Sequence, residues 1–179
     1  GTGIPLPEDS RFLGIWVDSN ALRELDLRSG VNLWARIMTA TGIYRNIGLG
    51  DILETDSLGS SVAEIADVKA VDGRWRLFTG DIPEYAPVSL PLELVSLFIS
   101  TSPANRLSDG VIHLDDVTAF GSSADTVPVG VVPSGVVIEG FEGDTPWVPL
   151  VNQDGIPDIA ESSRSSARSG GSGMSFSCQ

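Results

Sequence analysis

Two adjacent carboxylates, Asp115 and Asp116, are the residues of this sequence whose type and position most directly suggest chemistry. They follow the largely apolar residues 111–114. Neighbouring side chains of a strand point to opposite faces, so one of the two must face inward or lie at the rim of its sheet. An unpaired charge there is costly. The pair therefore needs a partner, which is a cation, an arginine or a set of backbone N–H donors.

Two further carboxylates, Glu139 and Glu142, follow a second apolar stretch, residues 136–138. Three or four carboxylate oxygens that converge with backbone carbonyls form the oxygen-rich shell that Ca²⁺ prefers. The sequence therefore predicts a structural calcium site at Asp115, Asp116, Glu139 and Glu142. The alternative is a set of separate carboxylates that are solvated or hydrogen-bonded.

The chain supplies few side chains for catalysis, since it contains one histidine, His113, and one cysteine, Cys178. A serine or cysteine nucleophile would have to use His113 as its base, and a site with several histidine ligands is excluded within one chain. A histidine on the face of a sheet is the simpler interpretation, so we predict a protein that is not an enzyme. The alternative is a carbohydrate-active enzyme fragment that uses Asp115 or Asp116 together with Glu142.

Trp34 and Arg36 are the best candidates for contact with a ligand. Within residues 31–38 the apolar Leu33 and Ile37 alternate with Trp34 and Arg36, as expected of a half-buried strand. Because Trp34 shares its face with an arginine, we expect its ring to face away from the apolar interior. An exposed ring beside polar groups suits a sugar. We expect at least two of the four tryptophans to lie in the core instead.

Charge and hydropathy exclude two functional classes. Eleven Lys and Arg against 24 Asp and Glu give a net charge of 11 − 24 = −13, whereas a nucleic-acid surface needs a basic patch. No stretch reaches the roughly 18 consecutive apolar residues of a membrane-spanning helix. We therefore expect no nucleic-acid partner, and any attachment to a membrane through parts outside this chain.

The elements that must position these side chains are short strands. Turn residues separate them, and no convincing crossover helix lies between them. About nine such strands are typical of an all-β fold, a two-sheet antiparallel jelly roll or β-sandwich. The stretches whose alternation or content of branched and aromatic residues predicts a strand include residues 11–17, 31–38, 43–49, 74–79, 92–100, 111–120, 136–142 and 174–177.

Short sequences on these strands resemble carbohydrate-binding-module-like jelly rolls. The closest similarity is to the extracytoplasmic regions of bacterial FtsX-like ABC-transporter permeases, in which such modules occur in series. Sequences that resemble the later strands of the module are Leu13-Gly14-Ile15-Trp16-Val17, Leu33-Trp34-Ala35-Arg36 with Gly42, Trp75-Arg76-Leu77 and Gly110-Val111-Ile112-His113-Leu114-Asp115-Asp116-Val117. Those that resemble its opening strands are Val137-Ile138-Glu139-Gly140-Phe141-Glu142 with Trp147 and Ser172-Gly173-Met174-Ser175-Phe176-Ser177.

The resemblance implies a non-catalytic domain outside the cytoplasm, at the cell surface of a bacterium, that is tethered to the plasma membrane in the full-length protein. It implies a glycan ligand, a protein ligand or a spacer role in a transporter-like protein. In sugar-binding jelly rolls the opening Phe-Glu strand and the closing Asp-Asp strand often hold a structural Ca²⁺. The resemblance therefore implies Glu142 with Asp115 or Asp116 as calcium ligands.

The order of the two halves differs from that family. The closing strands come first, in residues 1–121, residues 122–135 form a linker, and the opening-type strands come last, in residues 136–179. A half sandwich exposes apolar faces and sheet edges and is unstable alone. We therefore predict one structural domain in which the C-terminal strands complete the sheets of the N-terminal part. They do so within the chain, as a circular permutation, or by exchange in a domain-swapped homodimer.

Overall fold

The structure is a computed structural model that describes residues 3–23, 30–53, 68–82, 90–101, 111–143, 147, 159–163 and 167–177. These residues form two antiparallel sheets that pack face to face, with one short helix, α1 (Asn20–Arg23), and one 3₁₀ helix (Ser122–Thr126). The predicted all-β sandwich is confirmed. In chain order its strands are β1 (Ile4–Pro5), β2 (Phe12–Asp18), β3 (Val31–Met38), β4 (Tyr44–Asp51), β5 (Val68–Asp72), β6 (Trp75–Asp81), β7 (Glu93–Thr101), β8 (Val111–Phe120), β9 (Val136–Glu139), β10 (Ile159–Ser163) and β11 (Gly173–Ser177).

The smaller sheet has four strands in the order β1-β7-β3-β4. In its inner strand β3 the odd-numbered residues are buried and the even-numbered residues are half-exposed. This period of two is that of a strand with one face on a core and the other on solvent. The alternation of apolar and polar residues in the sequence of β3 therefore matches the alternation of buried and half-exposed residues in the structure.

The larger sheet has the order β10-β11-β8-β2-β6-β5, and β9 also pairs with β8. Strand β2 follows one edge of β8, so β11 and β9 share the other edge, where they pair with residues 111–114 and 117–119 respectively. Both belong to the C-terminal part of the chain. The prediction that this part completes the sheets is confirmed, and here the pairing lies within one chain. Exchange between two chains, and the division at residues 121 and 135, stay predictions.

An apolar core fills the space between the two sheets. Inward-facing residues of both sheets contribute to it, including Leu33 and Ile47 from the smaller sheet and Ile15, Phe78 and Leu114 from the larger. Strands β4 and β6 are in close contact at Gly80, where a Cβ would overlap the carbonyl oxygen of Gly48. Only glycine allows the sheets to come this close.

The outer face of the larger sheet carries a second apolar cluster, and the chain itself covers part of it. Residues 122–135, which the sequence analysis treats as a linker, lie against this face. Gly130 donates its N–H to the Lys69 carbonyl of β5, and a Cβ at Gly135 would overlap the Phe120 ring. Two tryptophans are buried here, as expected. The cluster consists of Trp16, Ala70, Trp75, Leu77, Phe120 and Ala124.

Strand β8 contains a bulge at Asp116. On β2, Trp16 pairs with Asp115 and Gly14 pairs with Thr118, so the two β8 residues between them face a single residue of β2. Asp116 has a φ of 46°, in the left-handed region that aspartate adopts more readily than most residues. A bulge breaks the alternation of side chains. The expected opposite orientation of Asp115 and Asp116 is therefore wrong, and both carboxylates contact the same segment of the chain.

Candidate functional site

Trp34 lies on the outer face of the smaller sheet, as the sequence predicts. Its ring is nearly parallel to that of Phe98, its neighbour on β7, with 8° between the ring planes and 6.2 Å between the centroids. The indole Nε1 donates a hydrogen bond of 2.9 Å to the Ser100 hydroxyl, also on β7. The ring is therefore fixed both by stacking and by a hydrogen bond.

The other edge of the indole lies over a glycine of β4. A Cβ at Gly48 would lie 3.3 Å from Cζ3 of Trp34 and 3.6 Å from its Cη2. The six-membered ring thus extends across the sheet from β3 over the β4 backbone. A larger residue at this position would press against the ring, so the absence of a side chain at Gly48 leaves the space that the indole occupies.

Arg36 lies beside the two rings and is also held in place. Its Nε donates a hydrogen bond of 2.9 Å to the Asn46 amide oxygen on β4. Its guanidinium carbon lies 5.3 Å from the centroid of the Phe98 ring, within the range of a cation–π interaction. Trp34, Arg36, Asn46, Phe98 and Ser100 together form the surface that we call the Trp34 face.

The sequence identifies Trp34 and Arg36 but not their partners. Phe98 lies in β7, where apolar residues occupy both faces, so no alternation marks its side as exposed. Asn46 and Ser100 become candidates only when the register of β3 with β4 and β7 is known. The structure brings the two predicted residues together, and their contact with a ligand stays a prediction.

Asp115 is buried, and backbone donors occupy its carboxylate. Oδ2 accepts hydrogen bonds from the N–H groups of Arg168, at 2.7 Å, and Ser169, at 2.9 Å. Oδ1 accepts one from the N–H of Asp116, at 2.9 Å. Burial raises the pKa of Asp115 above its ordinary value, although the hydrogen bonds from Ser169 and Arg168 lower it.

Asp116 binds the side chain of the same arginine. Its Oδ2 accepts hydrogen bonds from Arg168 Nη1, at 3.1 Å, and from the Ser169 hydroxyl, at 2.7 Å. Arg168 Nη2 lies 3.1 Å from a carboxylate oxygen of Asp72, and its guanidinium carbon lies 3.8 Å from the centroid of the Trp16 ring. The positive charge of Arg168 is thus enclosed by two carboxylates and an aromatic face.

The two glutamates of the predicted metal site point to different partners. Glu142 Oε1 accepts hydrogen bonds from the N–H groups of residues 171 and 172, at 2.6 and 2.8 Å. Glu139 accepts hydrogen bonds from the N–H of Phe141, at 2.6 Å, and from Nε1 of Trp147, at 3.3 Å. Asp115 and Glu142 therefore each hold two consecutive N–H groups of residues 167–172, which we call the strap.

The carboxylate pair of β8 has protein hydrogen-bond donors as its partners in this structure. N–H groups point at both oxygens of Asp115, and a guanidinium already lies against Asp116. Among the described residues, no group of three or more His, Cys, Asp or Glu could hold a metal ion. Of the partners that the sequence allows for the pair, the structure provides an arginine and backbone donors. Calcium binding at Asp115, Asp116, Glu139 and Glu142 stays a prediction.

His113 lies on the outer face of the larger sheet, with Asp18 of β2 and Ser175 of β11 as its neighbours in register. The Asp18 carboxylate lies 3.0 Å from Nε of Arg74. Burial lowers the pKa of His113; the charge of Asp18 raises it and that of Arg74 lowers it. The neutral imidazole is therefore favoured on this face, and an enzymatic role stays untested.

Comparison of the chain with protein-family models, with curated proteins and with solved structures found no match in any of the three. Across the ranges that the structure describes, no helix has both the length and the apolar character to cross a membrane.

Proposed function

We propose that this chain is a non-catalytic recognition domain that binds glycans on the Trp34 face. The observation that carries the proposal is the pair of nearly parallel rings, Trp34 and Phe98, on the half-exposed face of a sheet. Neither ring belongs to either of the two apolar clusters. A large aromatic surface outside the core is a feature of binding sites in soluble proteins.

The chemistry of the face matches that of a sugar ring. A pyranose presents C–H groups on its flat sides and hydroxyl groups around its edge. Aromatic rings pack against the C–H groups, and the neighbouring Ser100 hydroxyl, Asn46 amide and Arg36 guanidinium are donors and acceptors for hydroxyl groups. Apolar contact with a few fixed polar groups is the usual composition of a small-ligand site.

In the full-length protein we propose that the domain lies outside the cytoplasm of a bacterium and is tethered to the plasma membrane through other parts of the chain. The similarity to jelly-roll modules of FtsX-like permeases supports this location. A protein ligand or a spacer role would require the same location but would not require a sugar-stacking surface. The half-exposed ring pair therefore favours the glycan.

The proposal is tested by screening the protein on a glycan array, with and without added calcium, and by measuring the affinity of each hit in solution. We expect Trp34→Ala to weaken binding at least about tenfold, and a cooperative unfolding transition in urea to show that the variant is still folded. Val71→Ala is the control, since it removes an exposed apolar side chain from the other sheet. Absence of any hit, or unchanged affinity in Trp34→Ala, would overturn the proposal.

A further inference from the structure

We infer that the Trp34 face selects anionic sugars, whose carboxylate or sulfate group binds Arg36. The inference rests on the proposed glycan function and names the class of glycan. It is argued from the unused N–H donors of the Arg36 guanidinium and from the charged side chains near it.

The guanidinium of Arg36 is held in one orientation, but only part of its N–H donors have an acceptor. Its Nε is held by Asn46 and its carbon lies near the Phe98 ring. Among the described residues, no hydrogen bond or ion pair of Arg36 uses Nη1 or Nη2. Nη1 and Nη2 lie in the plane of the guanidinium, and this geometry binds a carboxylate or a sulfate through two parallel hydrogen bonds.

Within the part of the chain that the structure describes, no carboxylate pairs in register with Trp34 or Arg36, although the whole sequence carries a net charge of −13. The two carboxylates nearest in register, Asp51 and Glu93, lie opposite the first and last outward residues of β3. Asp51 accepts hydrogen bonds from backbone N–H groups, including that of Leu53 at 3.0 Å. Glu93 turns a buried oxygen towards Gly3. Neither compensates the charge of Arg36.

Arg45, next to Asn46 on β4, does not share this face. It pairs with Ile37, whose side chain lies in the core, so Arg45 and Arg36 leave the sheet on opposite sides. The attraction for an anionic group on the Trp34 face is therefore assigned to Arg36, in a protein whose overall negative charge repels an anionic polysaccharide elsewhere.

The experiment compares three ligands with the intact chain: an oligogalacturonate, the same oligomer with its carboxyl groups methyl-esterified, and a sulfated oligosaccharide. We expect the free uronate or the sulfated oligomer to bind at least about tenfold more tightly than the ester, and this preference to decrease as salt is added. Arg36→Gln should abolish the preference, so that the free acid and the ester bind with equal affinity. Arg11→Gln, which removes the same charge from an exposed position at the larger sheet, should keep it.

The outcomes separate the two proposals. Equal affinity for the ester and the free acid, with Trp34→Ala still abolishing binding, would overturn the selection of anionic sugars and leave glycan binding intact. A preference that Arg36→Gln and Arg11→Gln reduce equally would also overturn it, because net charge and not Arg36 would then be responsible. No binding of any oligomer, together with an empty array, would overturn both proposals.

Discussion

Replacing Asp115 by alanine should detach the strap and destabilise the whole sheet edge. The carboxylate accepts three hydrogen bonds, from the N–H groups of Arg168, Ser169 and Asp116. The strap leads directly into β11, which pairs with β8. Removal of the carboxylate therefore affects both the strap and the C-terminal strand that completes the larger sheet.

The size of the effect follows from the donors left behind. A buried donor without an acceptor costs about 1–3 kcal/mol, and water reaches the exposed Ser169 more easily than the other two. Asp115→Ala should therefore lower the free energy of unfolding by about 2–5 kcal/mol, a large part of the roughly 5–15 kcal/mol of a typical domain. Asp115→Asn should cost less than half as much, because its amide oxygen still accepts from the strap and it lacks the desolvation cost of a buried charge.

The raised pKa of Asp115 gives a second, independent prediction, which concerns the pH dependence of the free energy of unfolding. The folded state binds a proton more tightly than the unfolded state between the ordinary pKa and the raised one. The free energy of unfolding should therefore fall as the pH increases through this window, and Asp115→Asn should remove that slope. A carboxylate held mainly by a salt bridge would give the opposite sign.

Equilibrium unfolding in urea, followed by tryptophan fluorescence, measures these changes, and hydrogen exchange of the Arg168 and Ser169 amides reports on the strap itself. The matched control is Asp125→Ala, which removes an exposed carboxylate from the 3₁₀ helix. A loss below about 1 kcal/mol in Asp115→Ala, with both amides exchanging as in the unchanged protein, would refute the assignment of Asp115 as the residue that holds the strap.

Two further predictions concern the interior and the only histidine. Because burial lowers the pKa of His113, the unfolded state binds the proton more readily, so stability should rise with pH up to the ordinary value of about 6.5, and His113→Gln should flatten this slope in urea unfolding; an unchanged slope would contradict the assignment. Gly80→Ala should lower the free energy of unfolding by about 1–3 kcal/mol, since its Cβ would overlap the Gly48 carbonyl oxygen and lie 2.8 Å from Cγ2 of Ile47. Gly143→Ala, which has open space around its Cβ, is the thermal-unfolding control, and equal losses in both variants would refute the close approach of the sheets.

Strands β3 and β8 show what alternation can predict. Residues 31–38 and 111–120 are the predicted strands and also the observed ones. Each strand faces the core with one side and a different environment with the other, so the sequence must alternate. For the same reason the outward position of Trp34 and Arg36 could be read from the sequence alone.

The contacts that define the two sites could not be read in this way. The partner of Asp116 is Arg168, 52 residues further along the chain, and no local pattern connects them. The bulge that turns Asp116 towards it depends on how β8 pairs with β2. Phe98 is hidden by the apolar character of β7 as a whole. Long-range register decided all of these, and a single sequence does not encode register in any short stretch.

The two outer faces of the sandwich differ in what happens to their tryptophans. On the larger sheet, Trp16 is buried in an apolar cluster and Arg168 of the strap lies over its ring. On the smaller sheet, Trp34 and Phe98 form a ring pair beside Arg36, in positions where a strand needs only a residue that fits a half-exposed pleat. Both rings are partly buried against each other, but neither belongs to an apolar cluster. Burial in an apolar cluster thus accounts for the first tryptophan, and the second is the residue for which we propose a ligand.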